Sequence, residues 1–187
     1  MPSRSSAPLP IPRALELVRT LVRGSGARRV VIDGRSGAGK TTLARDLVAS
    51  WPGAQLLSLD EVYPGWGGLR EGAALACALV LVPHAERRRG DYRRFDWVDG
   101  TFAGPLLEID PDRPLVVEGC GALTAVAAGL ADASAWLDGD ADRRRERALA
   151  RDGDGFAPYW DMWAAQEEAH IRREAPQELA ALALTTC

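Results

Sequence analysis

Short apolar runs alternate with amphipathic stretches along most of this chain. Residues 28–33, 54–59 and 115–117 read as buried strands, because each is a short apolar run bounded by turn residues. Residues 134–138 and 179–185 have the same character. We therefore predict about five strands that are buried on both faces.

Helical periodicity fills the intervals between these strands. Pro12 is placed to open a first helix, whose apolar residues have helical spacing: Leu15, Val18, Leu21 and Val22. Further helices are predicted over residues 42–48, 71–89, 140–151 and 159–174. Strands that alternate with helices predict an α/β fold, in which helices cover both faces of a parallel sheet and ligands bind at the carboxyl ends of the strands.

The chain length of 187 residues suits a single domain. Residues 1–11 are rich in proline and are predicted to form a flexible tail, so that the domain spans residues 12–187. Residues 92–98 are compatible with a short strand or an extended loop. The glycine-rich residues 152–158 separate two predicted helices and are expected to form a short lid.

One motif stands out against this regular pattern. Residues 34–41 read Gly-Arg-Ser-Gly-Ala-Gly-Lys-Thr, a complete G-x-x-x-x-G-K-[ST] phosphate loop between a predicted strand and a predicted helix. In such a loop the backbone N–H groups and the positive end of the helix converge on phosphate oxygens. We therefore predict a P-loop NTPase fold that binds ATP through Gly34, Ser36, Gly37, Ala38, Gly39, Lys40, Thr41 and Thr42.

Lys40 is the only lysine among 23 basic residues. A compact ammonium group on a flexible stem reaches the β- and γ-phosphates, whereas the wide guanidinium group of arginine does not thread along the loop. Lys40 is therefore predicted to be catalytic. Thr41 supplies a hydroxyl group for Mg²⁺, which keeps most of its water ligands and bridges phosphate oxygens.

Composition narrows the range of partners. The net charge of −3 gives no basic field for a nucleic acid polymer. The three cysteines are too few and too far apart for a zinc site, and we interpret them as reduced thiols in the cytoplasm. The longest apolar stretch, residues 73–83, is too short to span a membrane. A small-molecule partner is therefore expected, and the oligomeric state is left open.

Charged residues elsewhere are candidates for the chemistry. Asp60 follows a predicted strand, where its carboxylate is placed to accept a proton from an attacking hydroxyl group or to hold the metal. Arg144, Arg147 and Arg151 lie on one helical face. We predict that Arg147 and Arg151 neutralise the transferring phosphoryl group from the lid, although a solvated face is the plainer alternative.

Residues 92–97 mix aromatic and charged side chains. This mixture suits a small planar or polyhydroxylated acceptor, and it equally suits the core of an edge strand. Asp96 is favoured as functional because a carboxylate between two aromatic residues needs a partner. His84 and His170 belong to no recognisable metal-ligand pattern and are predicted to lie at the surface or at helix ends.

These residues together resemble the uridine kinase-like branch of the P-loop small-molecule kinases, in particular its short actinobacterial members. Four segments carry the resemblance in order: the phosphate loop, Asp60-Glu61-Val62-Tyr63, Phe95-Asp96-Trp97 and Glu118-Gly119. Arg144, Arg147 and Arg151, followed by Asp152, also have family-like spacing.

The resemblance implies roles for individual residues. Asp60 would be the base for the acceptor hydroxyl group, and Thr41, Asp60 and Glu118 would place Mg²⁺. Tyr63 and Asp96, together with Asp60 and Glu118, would surround the acceptor. The chain departs from the family pattern after Asp152, where a second basic cluster is absent, and it lacks the usual longer substrate loop.

Three functions remain open at this point. The first is transfer of the γ-phosphoryl group of ATP to a hydroxyl group of a small molecule such as uridine or cytidine. The second is a nucleoside monophosphate kinase, which would need cations near the acceptor, for which Arg70, Arg93 and Arg94 are candidates. The third is an ATP-binding regulatory module that hydrolyses ATP slowly or not at all.

Overall fold

The computed structural model describes residues 3–4 and 7–187. Its sheet is parallel throughout, with the strand order β1-β8-β7-β2-β6-β3. A separate antiparallel hairpin consists of β4 and β5. The strands are β1 (Ser3–Arg4), β2 (Arg29–Gly34), β3 (Gln55–Ser58), β4 (Gly90–Asp96), β5 (Thr101–Ile109), β6 (Leu115–Glu118), β7 (Ala133–Gly139) and β8 (Leu182–Thr186).

Eight α-helices connect or follow these strands within the described residues. The phosphate loop joins β2 to the second helix, as the motif requires. The helices are α1 (Ile11–Ser25), α2 (Lys40–Ala49), α3 (Leu69–Ala76), α4 (Val82–Ala85), α5 (Ala125–Leu130), α6 (Ala141–Asp152), α7 (Trp160–Glu174) and α8 (Pro176–Leu179).

Alternate residues of the central strand β2 point into two different cores. Val30 and Ile32 pack against α1 and α2 on one face, whereas Val31 packs with residues of α3 and α7 on the other. A strand buried on both faces reads as a continuous apolar run, which is why the pattern of residues 28–33 was informative. The predicted α/β architecture, with about five main strands and helices on both faces, is confirmed.

The predicted helix over residues 71–89 is shorter and interrupted. A π-helical turn at Cys77–Leu81 separates α3 from α4, and Pro83 in α4 has no N–H group for an α-helical hydrogen bond. The helix ends at Ala85, and Arg87 then adopts a left-handed conformation with φ 57°. The chain therefore turns early into β4.

The sequence leaves open a short strand or an extended loop for residues 92–98. Most of this segment lies in the hairpin strand β4, so the strand is observed. The second strand of the hairpin, β5, was not predicted, because it is largely exposed and lacks a buried apolar run. The predicted tail over residues 1–11 lies in part outside the described residues. Within them, β1 pairs with β8, and Leu9 also bridges to Thr186 at the same edge.

Within the described residues, no helix is both long and apolar enough to cross a bilayer. The cytoplasmic location expected from the composition remains a prediction.

Candidate active site

The carboxyl ends of β2, β3 and β6 border one cavity of about 630 Å³. Its lining includes most of the residues that the sequence singled out: Ser36, Gly37, Gly39, Lys40, Thr41, Thr42, Asp60, Tyr63, Glu118, Arg147 and Arg151. Gly34, Ala38 and Asp96 are not part of this lining. The topology therefore brings together segments that are far apart in the sequence.

The phosphate loop depends on close backbone contacts that exclude side chains. A Cβ atom on Gly34 would lie 2.0 Å from the carbonyl oxygen of Leu137, and one on Gly37 would lie 2.0 Å from that of Arg144. Gly37 also has φ 74°, in the left-handed region that favours glycine. Glycine at these two positions is thus a steric requirement of the packing against β7 and α6.

Lys40 is buried and lies across its own loop. Its Nζ atom donates to the carbonyl oxygen of Arg35 at 2.9 Å and to the Sγ atom of Cys120 at 3.3 Å. Burial acts to lower the pKa of Lys40, but nearby Cys120, Glu167, Glu118 and Asp33 outweigh it, so that the pKa lies above its ordinary value. The ammonium group is therefore charged and held beside the cavity.

Oxygen atoms suited to Mg²⁺ lie next to this lysine. The Thr41 hydroxyl group donates to Oε1 of Glu118 at 3.2 Å, and the Ser58 hydroxyl group donates to the same atom at 2.6 Å. Burial raises the pKa of Glu118, against smaller opposing effects of Lys40 and the Ser58 hydrogen bond. A hydroxyl group and carboxylates fit a hard cation that keeps most of its water ligands. The described residues contain no cluster of three or more His, Cys, Asp or Glu that would hold a metal ion by themselves.

Asp60 lies in a 3₁₀ turn directly after β3. Its side chain reaches solvent, yet it lies in a cleft where surrounding protein removes much of its hydration. This desolvation raises the pKa of Asp60, although the charges of Arg151 and Lys40 partly oppose the rise. The Trp97 indole donates to the backbone oxygen of Asp60 at 3.0 Å. The carboxylate itself is left available to accept a proton.

The three arginines of α6 have different surroundings. Arg144 is buried, and its guanidinium group donates to the carbonyl oxygens of Gly139 at 3.0 Å and Ser36 at 3.2 Å. It also pairs with Asp138 at 3.2 Å. Arg144 therefore supports the phosphate loop from behind and does not belong to a lid.

Arg147 and Arg151 line the cavity. One nitrogen of Arg147 donates to the carbonyl oxygen of Cys187 at 2.8 Å, whereas its Nε and Nη2 atoms are buried without a hydrogen-bond partner. Arg151 forms a two-point pair with Asp152, at 2.8 and 2.6 Å. That pair raises the pKa of Arg151 above its ordinary value. Arg147 therefore borders the cavity with two enclosed nitrogens that the protein leaves unpaired, and Arg151 borders it with a guanidinium group paired to Asp152.

Two predicted acceptor ligands are engaged in other contacts. Tyr63 is fully buried, its hydroxyl group donates to the carbonyl oxygen of Cys120 at 2.7 Å, and the residue borders the cavity. Asp96 accepts hydrogen bonds from the backbone of Val98 and Asp99 and thus closes the hairpin turn, which holds its pKa below the ordinary value. A role for either residue in acceptor binding remains a prediction.

A second set of residues, which the sequence did not single out, holds the loop from α7. Glu167 is buried, and its Oε1 atom accepts from the backbone N–H of Ser36 at 2.7 Å and from the Cys120 thiol at 3.2 Å. Burial raises the pKa of that thiol to about 12, against a smaller lowering by Lys40, so the thiol stays protonated and donates.

His170 also lies on α7, and the prediction that it is a surface or helix-end residue is wrong. It is buried, and its Nε2 atom lies 2.9 Å from Oδ2 of Asp33. The same carboxylate accepts from the backbone of Gly34, Gly121 and Leu123. Trp163, Glu167 and His170 are the buried residues of α7. Their spacing of four and three residues was the available sequence signal.

His84 is buried as well, with its Nε2 atom 2.8 Å from the carbonyl oxygen of Arg113. Its position near the end of α4 agrees with the helix-end alternative. Burial lowers the pKa of His84, with a smaller opposing effect of that hydrogen bond.

No protein-family model matches this chain, and no curated protein matches it. Several solved structures do match the chain in fold. A candidate uridine kinase from Bacillus stearothermophilus has a TM-score of 0.58 at 15% identity, over 90% of this chain and 99% of that one. A candidate fructose transport system kinase from Silicibacter sp. TM1040 has a TM-score of 0.54 at 18% identity, over 94% of this chain and 98% of that one. The chain therefore has the fold of P-loop kinase structures.

Proposed function

We propose that this protein transfers the γ-phosphoryl group of ATP, with Mg²⁺, to a hydroxyl group of a small molecule. The observation that carries the proposal is the position of Asp60, whose available carboxylate shares one cavity with the phosphate loop and with Arg147 and Arg151. A carboxylate in the same cavity as the phosphate loop is placed to take the proton of an acceptor hydroxyl group, which transfer chemistry requires.

The proposed step uses the residues as follows. The loop N–H groups and Lys40 hold the phosphates, and Thr41, Glu118 and Asp60 lie where Mg²⁺ would be held to neutralise phosphate charge. Asp60 accepts the proton of the acceptor hydroxyl group while the oxygen of that hydroxyl group bonds to the γ-phosphorus atom. The bond from that phosphorus to the bridging oxygen breaks, and ADP leaves with the electron pair. Arg147 and Arg151 stabilise the charge on the transferring group.

The nucleoside monophosphate alternative receives less support. It needs a cation for the second phosphate, yet Arg70, Arg93 and Arg94 do not line the cavity. Arg94 instead pairs with Glu61 at 3.0 Å. Arg93 donates to the carbonyl oxygen of Gly104. An unphosphorylated acceptor, such as the nucleoside that the sequence resemblance implies, is therefore favoured.

The test measures Mg²⁺-dependent ADP formation with and without added hydroxyl compounds, in the parent, Lys40→Ala and Asp60→Asn. We expect Lys40→Ala to lose nucleotide affinity and rate, and Asp60→Asn to retain ATP binding while its acceptor-dependent rate falls by a factor of about 100 or more. Indifference of ADP formation to Asp60→Asn would instead identify a regulatory module with slow hydrolysis.

A further inference from the structure

The β4–β5 hairpin contacts the turn that carries Asp60. This turn, residues 59–61, directly follows β3 and is called the Asp60 turn below. The Trp97 indole donates to the backbone oxygen of Asp60 at 3.0 Å. On the next residue, Oε2 of Glu61 accepts from the Tyr92 hydroxyl group at 2.7 Å, and the Nε atom of Arg94 pairs with the same oxygen at 3.0 Å. Two successive residues of the turn are thus bonded to the hairpin.

The hairpin reaches from the core to the cavity. Among the described residues it pairs with no strand of the main sheet. Tyr92 and Ile109 are buried in the core at one end of it, whereas Trp97, in the turn at its other end, lines the cavity. Because Glu61 binds the hairpin through Tyr92, it joins the Asp60 turn to the buried end of the hairpin.

The hydrogen bond from Tyr92 is the stronger part of this link. The Arg94 side chain is 63% exposed, and an ion pair in contact with water contributes little. Tyr92 is only 5% exposed, and a hydrogen bond to a carboxylate is stronger than one between neutral groups. Burial raises the pKa of Tyr92, as does its hydrogen bond to Glu61, so the hydroxyl group keeps its proton and donates. Glu61 itself does not line the cavity, so its effect on transfer passes through the turn.

We infer that Glu61 is a positioning residue, which ties the Asp60 turn to the hairpin and so directs the Asp60 carboxylate at the acceptor hydroxyl group. The inference rests on the proposed function and deepens it. A base must come within about 2.6–3.2 Å of the atom whose proton it takes, and a displacement of about 1 Å lowers a rate by up to about 100-fold. The phosphate loop lies between β2 and α2, outside this link, so we expect ATP binding to be independent of Glu61.

The experiment measures Mg²⁺-dependent ADP formation with uridine, cytidine, fructose and glycerol as acceptors. We expect Glu61→Ala to lower the acceptor-dependent kcat by about tenfold or more, while KM for ATP changes by less than about twofold. Tyr92→Phe should reproduce most of this loss. Glu61→Gln keeps an oxygen atom that accepts from Tyr92 and should recover most of kcat.

Glu108→Gln is the matched control in the same hairpin. Glu108 lies on β5 and pairs with Arg89 at 3.0 Å, and none of its described contacts reaches the Asp60 turn. Equal losses of kcat in Glu108→Gln and Glu61→Ala, or an unchanged kcat in Glu61→Ala, would overturn the inference. The proposed function still stands in either case if Asp60→Asn loses the rate, and it falls only if Asp60→Asn is also without effect.

The pH profile gives a readout that a merely structural pair would not change. Burial raises the pKa of Asp60 above its ordinary value. The charges around it act in both directions, with lowering by Arg151 and Lys40 and raising by Asp152 and Glu61. Glu61→Gln removes one of the negative charges, so the pKa of Asp60 decreases and the acidic fall in rate moves to lower pH. The control variant should leave this fall in place. An acidic fall at the parent's pH in Glu61→Gln overturns the inference.

Hydrogen exchange tests the link without any acceptor. The backbone N–H groups of Val62 and Tyr63 donate to the carbonyl oxygen of Leu59 at 2.9 and 3.0 Å, so they report on the Asp60 turn. We expect Glu61→Ala to speed exchange in residues 59–63 by about tenfold with unchanged exchange in β2, and the control variant to change neither. Equal exchange in the parent and Glu61→Ala overturns the inference, even if none of the four compounds is phosphorylated.

Discussion

Replacement of Glu167 by glutamine tests whether α7 holds the phosphate loop through a buried charge. The change keeps the shape of the side chain, and the amide oxygen still accepts from Ser36. A hydrogen bond to a charged acceptor contributes about 1.5–3 kcal/mol and one to a neutral acceptor about 0.5–1.5 kcal/mol, so the contact at 2.7 Å is weakened by about 1–2 kcal/mol.

The expected loss is therefore about 1–2 kcal/mol in the free energy of unfolding. For a chain of this size, each kcal/mol lowers Tm by about 2–4 °C, which predicts a decrease of about 2–8 °C. The pKa of Lys40 also falls towards its ordinary value, because Glu167 is one of the groups that raise it. Thermal unfolding followed by circular dichroism measures the loss of stability. We also expect KM for ATP to rise, because Glu167 holds the phosphate loop through the backbone of Ser36.

Glu168→Gln is the matched control on the adjacent residue. Glu168 pairs with Arg35 at 2.6 Å, but its side chain is 45% exposed, so the loss should stay below about 1 kcal/mol. If Glu167→Gln shifted Tm no more than Glu168→Gln does, the buried carboxylate would not be the link that we describe between α7 and the loop.

Two further predictions concern the cleft. Tyr63→Phe leaves the buried carbonyl oxygen of Cys120 without its partner at 2.7 Å and should lower the free energy of unfolding by about 1–3 kcal/mol. Urea unfolding measures this loss. An unchanged stability together with a raised KM for the acceptor would favour direct contact between Tyr63 and the acceptor instead. The acceptor-dependent rate should fall as the pH decreases through the pKa of Asp60, which lies above the ordinary value of 3.8. Since this raised pKa means that the ionised form destabilises the folded state, Asp60→Asn should raise Tm at neutral pH relative to the parent, with a difference that shrinks in acid. A Tm difference that grows in acid would contradict the assignment.

The strands and the phosphate loop were predictable because their signals are local. A strand buried on both faces must be a short apolar run, as in Val30, Val31 and Ile32, and a loop that cradles phosphate needs glycines followed by Lys40 and Thr41. Asp60 followed from the same logic, since the carboxyl ends of parallel strands meet at one edge, whereas the role of Glu118 was implied by the family resemblance. The exposed strand β5 carried no such signal and was missed.

The sequence by itself therefore determined the α/β class, the order of the five main strands and the nucleotide-binding loop, because each depends on residues close together in the chain. Only the tertiary structure decided which polar side chains support the loop and which face the cavity. Arg144 and Arg147 lie three residues apart on one helix, yet one supports Ser36 and the other lines the cavity. Glu167 reaches Ser36 across 131 residues, and such a contact is fixed by the packing of α7 against β2 and its loop, which local spacing does not encode.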